Sequence, residues 1–278
     1  MEGGAHSVTI GNVPSLERFQ AIPNGKSRML ESNAGSFRLF RLFGVDVWLH
    51  WSWFFVAYLQ FQLGGDRFNN SLWHVATYLS LFGIVLLHEF GHSLACKSVG
   101  GHADRILLWP LGGVAFVRPP PRPGAVLWSI AAGPLVNLLL VPVTLSLLLL
   151  VLSLNLDNDP QAWSDIERYA VAVTSINIML FMFNMLPIYP LDGGQILQAL
   201  LWFVIGRAAS LHFVAIVGMV VATICGALAF WAGDWWLVIM ALFIGWQSYR
   251  GYHLARLMSQ TPVELAEFVT VEIIDRED

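Results

Sequence analysis

From residue 46 onward the chain alternates between long apolar runs and short polar breaks. Six runs, at 46–63, 72–98, 125–153, 168–189, 210–231 and 235–255, approach or exceed the roughly 20 helical residues that span a bilayer core. This pattern predicts an all-α polytopic membrane protein with about six transmembrane helices. The first run is the weakest, because Asp46 and His50 lie at its start. Between the second and third runs, Ile106-Leu-Leu-Trp109 and Val114-Ala-Phe-Val117 lie on either side of Gly112-Gly113, which predicts a small β element of two short strands. The expected organisation is a flexible cytoplasmic tail at 1–40, a membrane-embedded domain at 41–257 and a short acidic cytoplasmic tail at 258–278.

Composition agrees with a bilayer as solvent. Of 278 residues, 56% are hydrophobic and 12% charged, about half the charge of an average soluble domain. There is no basic excess to suggest nucleic acid as a partner. The two cysteines, Cys96 and Cys225, fall in apolar runs and support neither a disulfide framework nor a Cys-based metal site. Trp residues gather near the run ends, as an interfacial belt does. With the N-terminus inside, thirteen Lys and Arg fall on the cytoplasmic side and only Arg67 and Arg168 outside, which places both termini in the cytoplasm.

Charge within such runs demands a reason. The second run reads Leu86-Leu87 and then His88-Glu89-Phe90-Gly91-His92, an HExxH pattern in an apolar helix. The i, i+4 spacing puts both imidazoles on one helix face about 6 Å apart, as a zinc site needs. Glu89 stands beside that face, where it can take a proton from water. An accidental HExxH carries no penalty on a solvated helix, but here unpaired His and Glu would be penalised.

A catalytic zinc takes three protein ligands. Asp192 is the only acid between Glu167 and Asp234, and it follows an apolar run interrupted by Pro187 and Pro190 and precedes Gly193-Gly194. On its own, Asp192 reads equally well as a turn residue. Topology favours the ligand: the second and fourth runs cross in the same direction, and Asp192 emerges near the leaflet that holds His92. His92 and His88 lie about 8 Å and about 14 Å from the inner end at Lys97, at 1.5 Å per helical residue.

At these residues the sequence resembles the site-2 protease family of intramembrane zinc metalloproteases. The resemblance rests on His88–His92, on Ala132-Gly133-Pro134-Leu135-Val136-Asn137, and on Asn184 to Gly194 with its Leu-Asp-Gly-Gly core. It covers about residues 40–250 and is closest to the compact six-span branch related to the sporulation protease that processes a pro-sigma factor. The resemblance implies one Zn2+ per chain held by His88, His92 and Asp192, with Glu89 as general base for peptide hydrolysis within or near a substrate's transmembrane segment. It implies a substrate or intermediate contact for Asn137, although an interhelical hydrogen bond explains that residue equally well. It further implies that the 106–117 strands form a membrane-associated sheet, either pairing with substrate or serving as a structural hairpin. Expected partners are the lipid bilayer and a transmembrane substrate such as an anti-sigma factor, a pro-sigma factor or a membrane-bound transcription factor, with oligomerisation left open. The rival readings are a membrane metal transporter or sensor with the same ligands, an inactive homologue, and an anchored protease acting on soluble peptides.

Overall fold

The computed structural model describes residues 35–63, 68–109, 112–154 and 163–260. It contains four strands, β1 (Ser36–Leu42), β2 (Val45–His50), β3 (His102–Trp109) and β4 (Gly112–Arg118). The seven helices among the described residues are α1 (Ser52–Leu63), α2 (Ser71–Ser98), α3 (Pro123–Ser153), α4 (Asp165–Asn184), α5 (Asp192–Ile205), α6 (Arg207–Ala232) and α7 (Trp235–Gln260). Most of the expected N-terminal tail, the Asp157–Asp159 loop and most of the C-terminal tail lie outside the described residues.

Among the described residues, four helices, α2, α3, α4 and α6, are long and apolar enough to cross a membrane. The first expected span is corrected: residues 46–50 form strand β2, and α1 is only 12 residues long. The alternation that buries Val45, Val47 and Leu49 on one face has the period of a strand, not of a helix. The last expected span forms the 26-residue α7, but Gln247, Ser248, Arg250, His253 and Arg256 make its second half polar. The fourth helix ends at Asn184, short of Pro187, because proline cannot continue the ladder.

The β element is larger than a hairpin. β1 and β2 join it to give a four-stranded sheet in the order β1-β2-β3-β4, antiparallel except for the parallel β2–β3 pair. A two-residue turn at Phe43-Gly44 links β1 to β2 with φ of 50° and 71°, the positive values that match hairpin twist. The Lys97 ammonium donates to the Phe43 carbonyl at 3.0 Å and ties this turn to the end of α2. Val45, Val47, Leu49, Ile106 and Leu108 of the sheet pack with Val85 and Phe90 of α2 in one core. The sheet therefore lies against the turn of α2 that carries HExxH.

Local capping fixes the helix starts. The Asn70 side chain accepts from the Leu72 N–H at α2, and Ser164 with Glu167 forms a capping box at α4. The Asp165 carboxylate accepts from the backbone N–H groups of Asn69 and Asn70 at 2.8 and 3.0 Å, joining the beginnings of α2 and α4. These two helices thus run in the same direction, as expected of the second and fourth runs.

Helix α3 packs closely on α2 at Gly91. A Cβ there would meet the Ala132 carbonyl oxygen at 2.6 Å and a Val136 methyl at 2.9 Å. Gly91→Ala is expected to destabilise the protein by about 1–3 kcal/mol, the usual penalty of overpacking. The check is the midpoint of thermal unfolding in detergent, which should fall.

Candidate metal centre

Helix α2 sets two imidazoles one turn apart, with ring centroids 4.7 Å apart and planes at 85°. Both side chains are buried, at 3% and 6% exposure for His88 and His92, so their polar atoms need partners inside the protein. The Nδ1 of His92 donates to the Ser129 carbonyl at 2.9 Å. A carbonyl only accepts, so this nitrogen carries a proton, and in the neutral ring Nε2 keeps its lone pair. The Nδ1 of His88 stands 2.5 Å from Asn137 Oδ1, which leaves its Nε2 in the same state. The two Nε2 atoms are 3.1 Å apart.

The chain after α4 brings Asp192 to the same point. Asp192 is the first residue of α5, and its Oδ2 lies 3.0 Å from His88 Nε2 and 3.4 Å from His92 Nε2. Close backbone packing shapes this approach. A Cβ on Gly193 would strike the Met185 and Leu186 carbonyls within 2.4–2.5 Å, and one on Gly194 the Ile188–Tyr189 backbone within 2.4–2.6 Å. Only glycine lets the segment fold this tightly on itself. From outside, Ser248 of α7 donates to the Tyr189 carbonyl at 2.6 Å, and the Gln195 amide donates to the Pro190 carbonyl at 2.9 Å.

Three acceptor atoms thus face one another across 3.0–3.4 Å, and Asp192 Oδ2 is buried with no hydrogen-bond partner. Lone pairs held that close repel unless a proton or a metal cation stands between them. Zinc bonds of about 2.0–2.2 Å at tetrahedral angles separate the donor atoms by about 3.3–3.6 Å, close to what is found. Two imidazoles and one carboxylate also form a familiar catalytic zinc set with an open fourth position. His88, His92 and Asp192 are therefore positioned to bind a metal.

Glu89 is also buried, at 6% exposure, and its carboxylate lies against Gly113 of the sheet. Its carboxylate accepts a hydrogen bond from the Ala115 backbone of β4. A Cβ on Gly113 would lie 2.3 Å from Glu89 Cγ and 2.6 Å from Oε1, so the absence of a side chain there gives the carboxylate its room. Asn137 is fully buried, with Oδ1 on His88 and Nδ2 engaged by a neighbouring helix.

Residues 76–158 and 156–228, together more than half of the chain, match peptidase family M50. The chain belongs to that family. A zinc metalloprotease of Methanocaldococcus jannaschii is 32% identical to this M50 chain over 209 residues, covering 75% of this chain and 58% of the relative. The stage IV sporulation protein FB of Bacillus subtilis is 32% identical over 130 residues, 45% of this chain and 40% of that protein. The solved structure of a site-2 protease from M. jannaschii matches with a TM-score of 0.55 and 28% identity, covering 78% of this chain and 95% of that one. The family of membrane proteases and the four apolar helices make this M50 chain a membrane protein.

Gly133 contributes to the centre without a side chain, through the space it leaves free. A Cβ on it would lie 2.3 Å from His92 Nε2 and 2.9 Å from His88 Nε2, against both imidazole nitrogens that face Asp192. Its place beside the histidines is visible only in three dimensions. Gly133→Ala is expected to reduce bound zinc well below one per chain. Gly83→Ala, whose added Cβ meets no atom within 4 Å, should leave the zinc content unchanged when both are measured by atomic emission.

Proposed function

We propose that this chain is an intramembrane zinc metalloprotease that hydrolyses a peptide bond within or near the transmembrane segment of a membrane protein. The observation that carries this reading is the junction of a buried His–His–Asp set with a buried, non-ligating glutamate against the last strand of a sheet. His88, His92 and Asp192 would hold the zinc. Bound there, the metal would supply an acidified water and a Lewis acid for the scissile carbonyl.

Glu89 would act as general base. Its carboxylate sits one residue from a ligand, holds the proton removed from water and returns it to the departing amine. The Ala115 hydrogen bond holds it against β4, so that it remains a base rather than a fourth ligand. Asn137 would serve as support for His88, since both atoms of its amide are already engaged.

A helical substrate must be extended before its carbonyl is reachable, and β4 offers a template. β3 occupies one edge of β4, so an N–H that reaches Glu89 lies on the other edge. A substrate strand added to that edge would run beside the catalytic carboxylate. The positive-inside bias would place the centre near the cytoplasmic face, with both termini in the cytoplasm and water entering from that side. Single-span membrane proteins, including anti-sigma factors, pro-sigma factors or membrane-bound transcription factors, are the substrate class that fits.

A glutamate placed off the ligand set has no task in metal transport, which separates the two readings. Glu89→Gln is expected to keep zinc and to lower kcat/KM by about 10²–10⁴-fold on a single-span reporter in proteoliposomes. Zinc flux through the same vesicles with the glutamine variant unimpaired would instead identify a transporter. Asp192→Ala should weaken zinc binding, and unchanged zinc content would remove Asp192 from the centre.

The strand-addition step has its own check. Val117 shares the β4 edge of Ala115 by the two-residue period, so Val117→Pro removes an N–H from the unpaired side. The expected result is about a tenfold or greater loss of kcat/KM with zinc retained. Full cleavage by this variant would mean that β4 does not receive the substrate.

A further inference from the structure

Asn177 lies on α4, outside the His–His–Asp set, and is fully buried. Its Nδ2 donates to the backbone carbonyl of Asn137 at 3.0 Å. The Asn137 side chain in turn donates from Nδ2 to Asn177 Oδ1 at 2.9 Å. On the other side, Asn137 Oδ1 meets His88 Nδ1.

Each of these bonds fixes the next. A backbone carbonyl can only accept, so the Asn177 atom facing it must be the amino group. The Asn177 oxygen then faces Asn137 and requires the amino group of that amide. The Asn137 oxygen is left for His88, and an amide oxygen requires the proton on Nδ1. In the neutral imidazole, His88 Nε2 then turns its lone pair toward Asp192 Oδ2 and His92 Nε2. We infer that Asn177 is a positioning residue that sets the tautomer of His88 through Asn137, and so tunes the affinity of the centre for zinc.

Without Asn177 the Asn137 amide is free to turn over and present its amino group to His88. The imidazole would then keep its lone pair on Nδ1 and its proton on Nε2, and a protonated nitrogen cannot ligate a metal. His92 has no such dependence, because a backbone carbonyl from Ser129 fixes it directly. The two histidines of one HExxH pattern are thus oriented by different means, one by main chain and one by a two-amide relay.

This inference rests on the metal centre described above, and the experiment separates the two. Zinc dissociation constants would be measured by chelator competition on the full chain in detergent micelles. Asn177→Ala is expected to raise the dissociation constant about 10–100-fold, the range for residues that orient a ligand. Asn177→Leu repeats the measurement with the number and branching of side-chain heavy atoms conserved. Asn137→Ala combined with Asn177→Ala should be no worse than the weaker single variant, because both act along one path. Thr174→Val removes another bond of the same helix interface, from Thr174 Oγ1 to the Thr144 carbonyl at 3.0 Å, and should change affinity by less than about twofold. Near-normal affinity in both Asn177 variants, losses that multiply in the double variant, or an equal loss in Thr174→Val would overturn the relay. If His88→Ala also bound zinc normally, the metal centre itself would fall, whereas a loss confined to His88→Ala would remove only the relay.

Discussion

Mutual repulsion among three buried lone pairs is the constraint around which this protein is organised. His88, His92 and Asp192 bring polar atoms to within 3.0–3.4 Å, a spacing that is favourable only with a proton or a metal cation between them. In water such atoms would turn outward, but here the surrounding helices prevent it. The Ser129 carbonyl and Asn137 hold the far sides of the rings, and glycines at 193 and 194 press the aspartate segment inward. A divalent cation converts this arrangement from strained to favourable. The neighbouring helices and the sheet keep it intact.

Small residues mark where the supporting elements come closest. Gly91 lets α3 lie on α2, Gly133 leaves room beside both imidazoles, and Gly113 admits the Glu89 carboxylate beneath β4. The polar groups follow a complementary rule. Each buried donor that orients a ligand ends on a main-chain carbonyl, either at once or through side-chain amides. Main-chain carbonyls in a helix move little, so ligand orientation is tied to the most rigid parts of the fold. Helices α6 and α7 provide no ligand, but Ser248 anchors the segment that leads to Asp192.

Much of the centre is legible in the sequence because the bilayer makes charge conspicuous. His88, Glu89, His92 and Asp192 stand out against apolar surroundings, and the proline and glycine pairs mark the break that delivers the aspartate. Other parts are hidden for definite reasons. The 46–50 strand is apolar enough to merge with α1 into one run, and only its period-two burial distinguishes it. Helix α5 carries in its first turn a glycine pair that reads as a turn. The Ser129 carbonyl is main chain, so no residue type announces it. Asn177 carries the same signal as Asn137, an amide in an apolar helix, but its link to His88 depends on an interhelical register that sequence does not encode locally.

The spacing of the three ligands along the polypeptide also matters for biosynthesis. Asp192 follows His92 by about 100 residues, and ribosomes add roughly 5–20 residues per second. The two histidines therefore enter the membrane about 5–20 s before their carboxylate partner. Throughout that interval a nascent chain holds an incomplete set of donors, and α3 and α4 are still being inserted. Competence to hold the ion thus arises late in synthesis, when most neighbouring membrane helices are already in place.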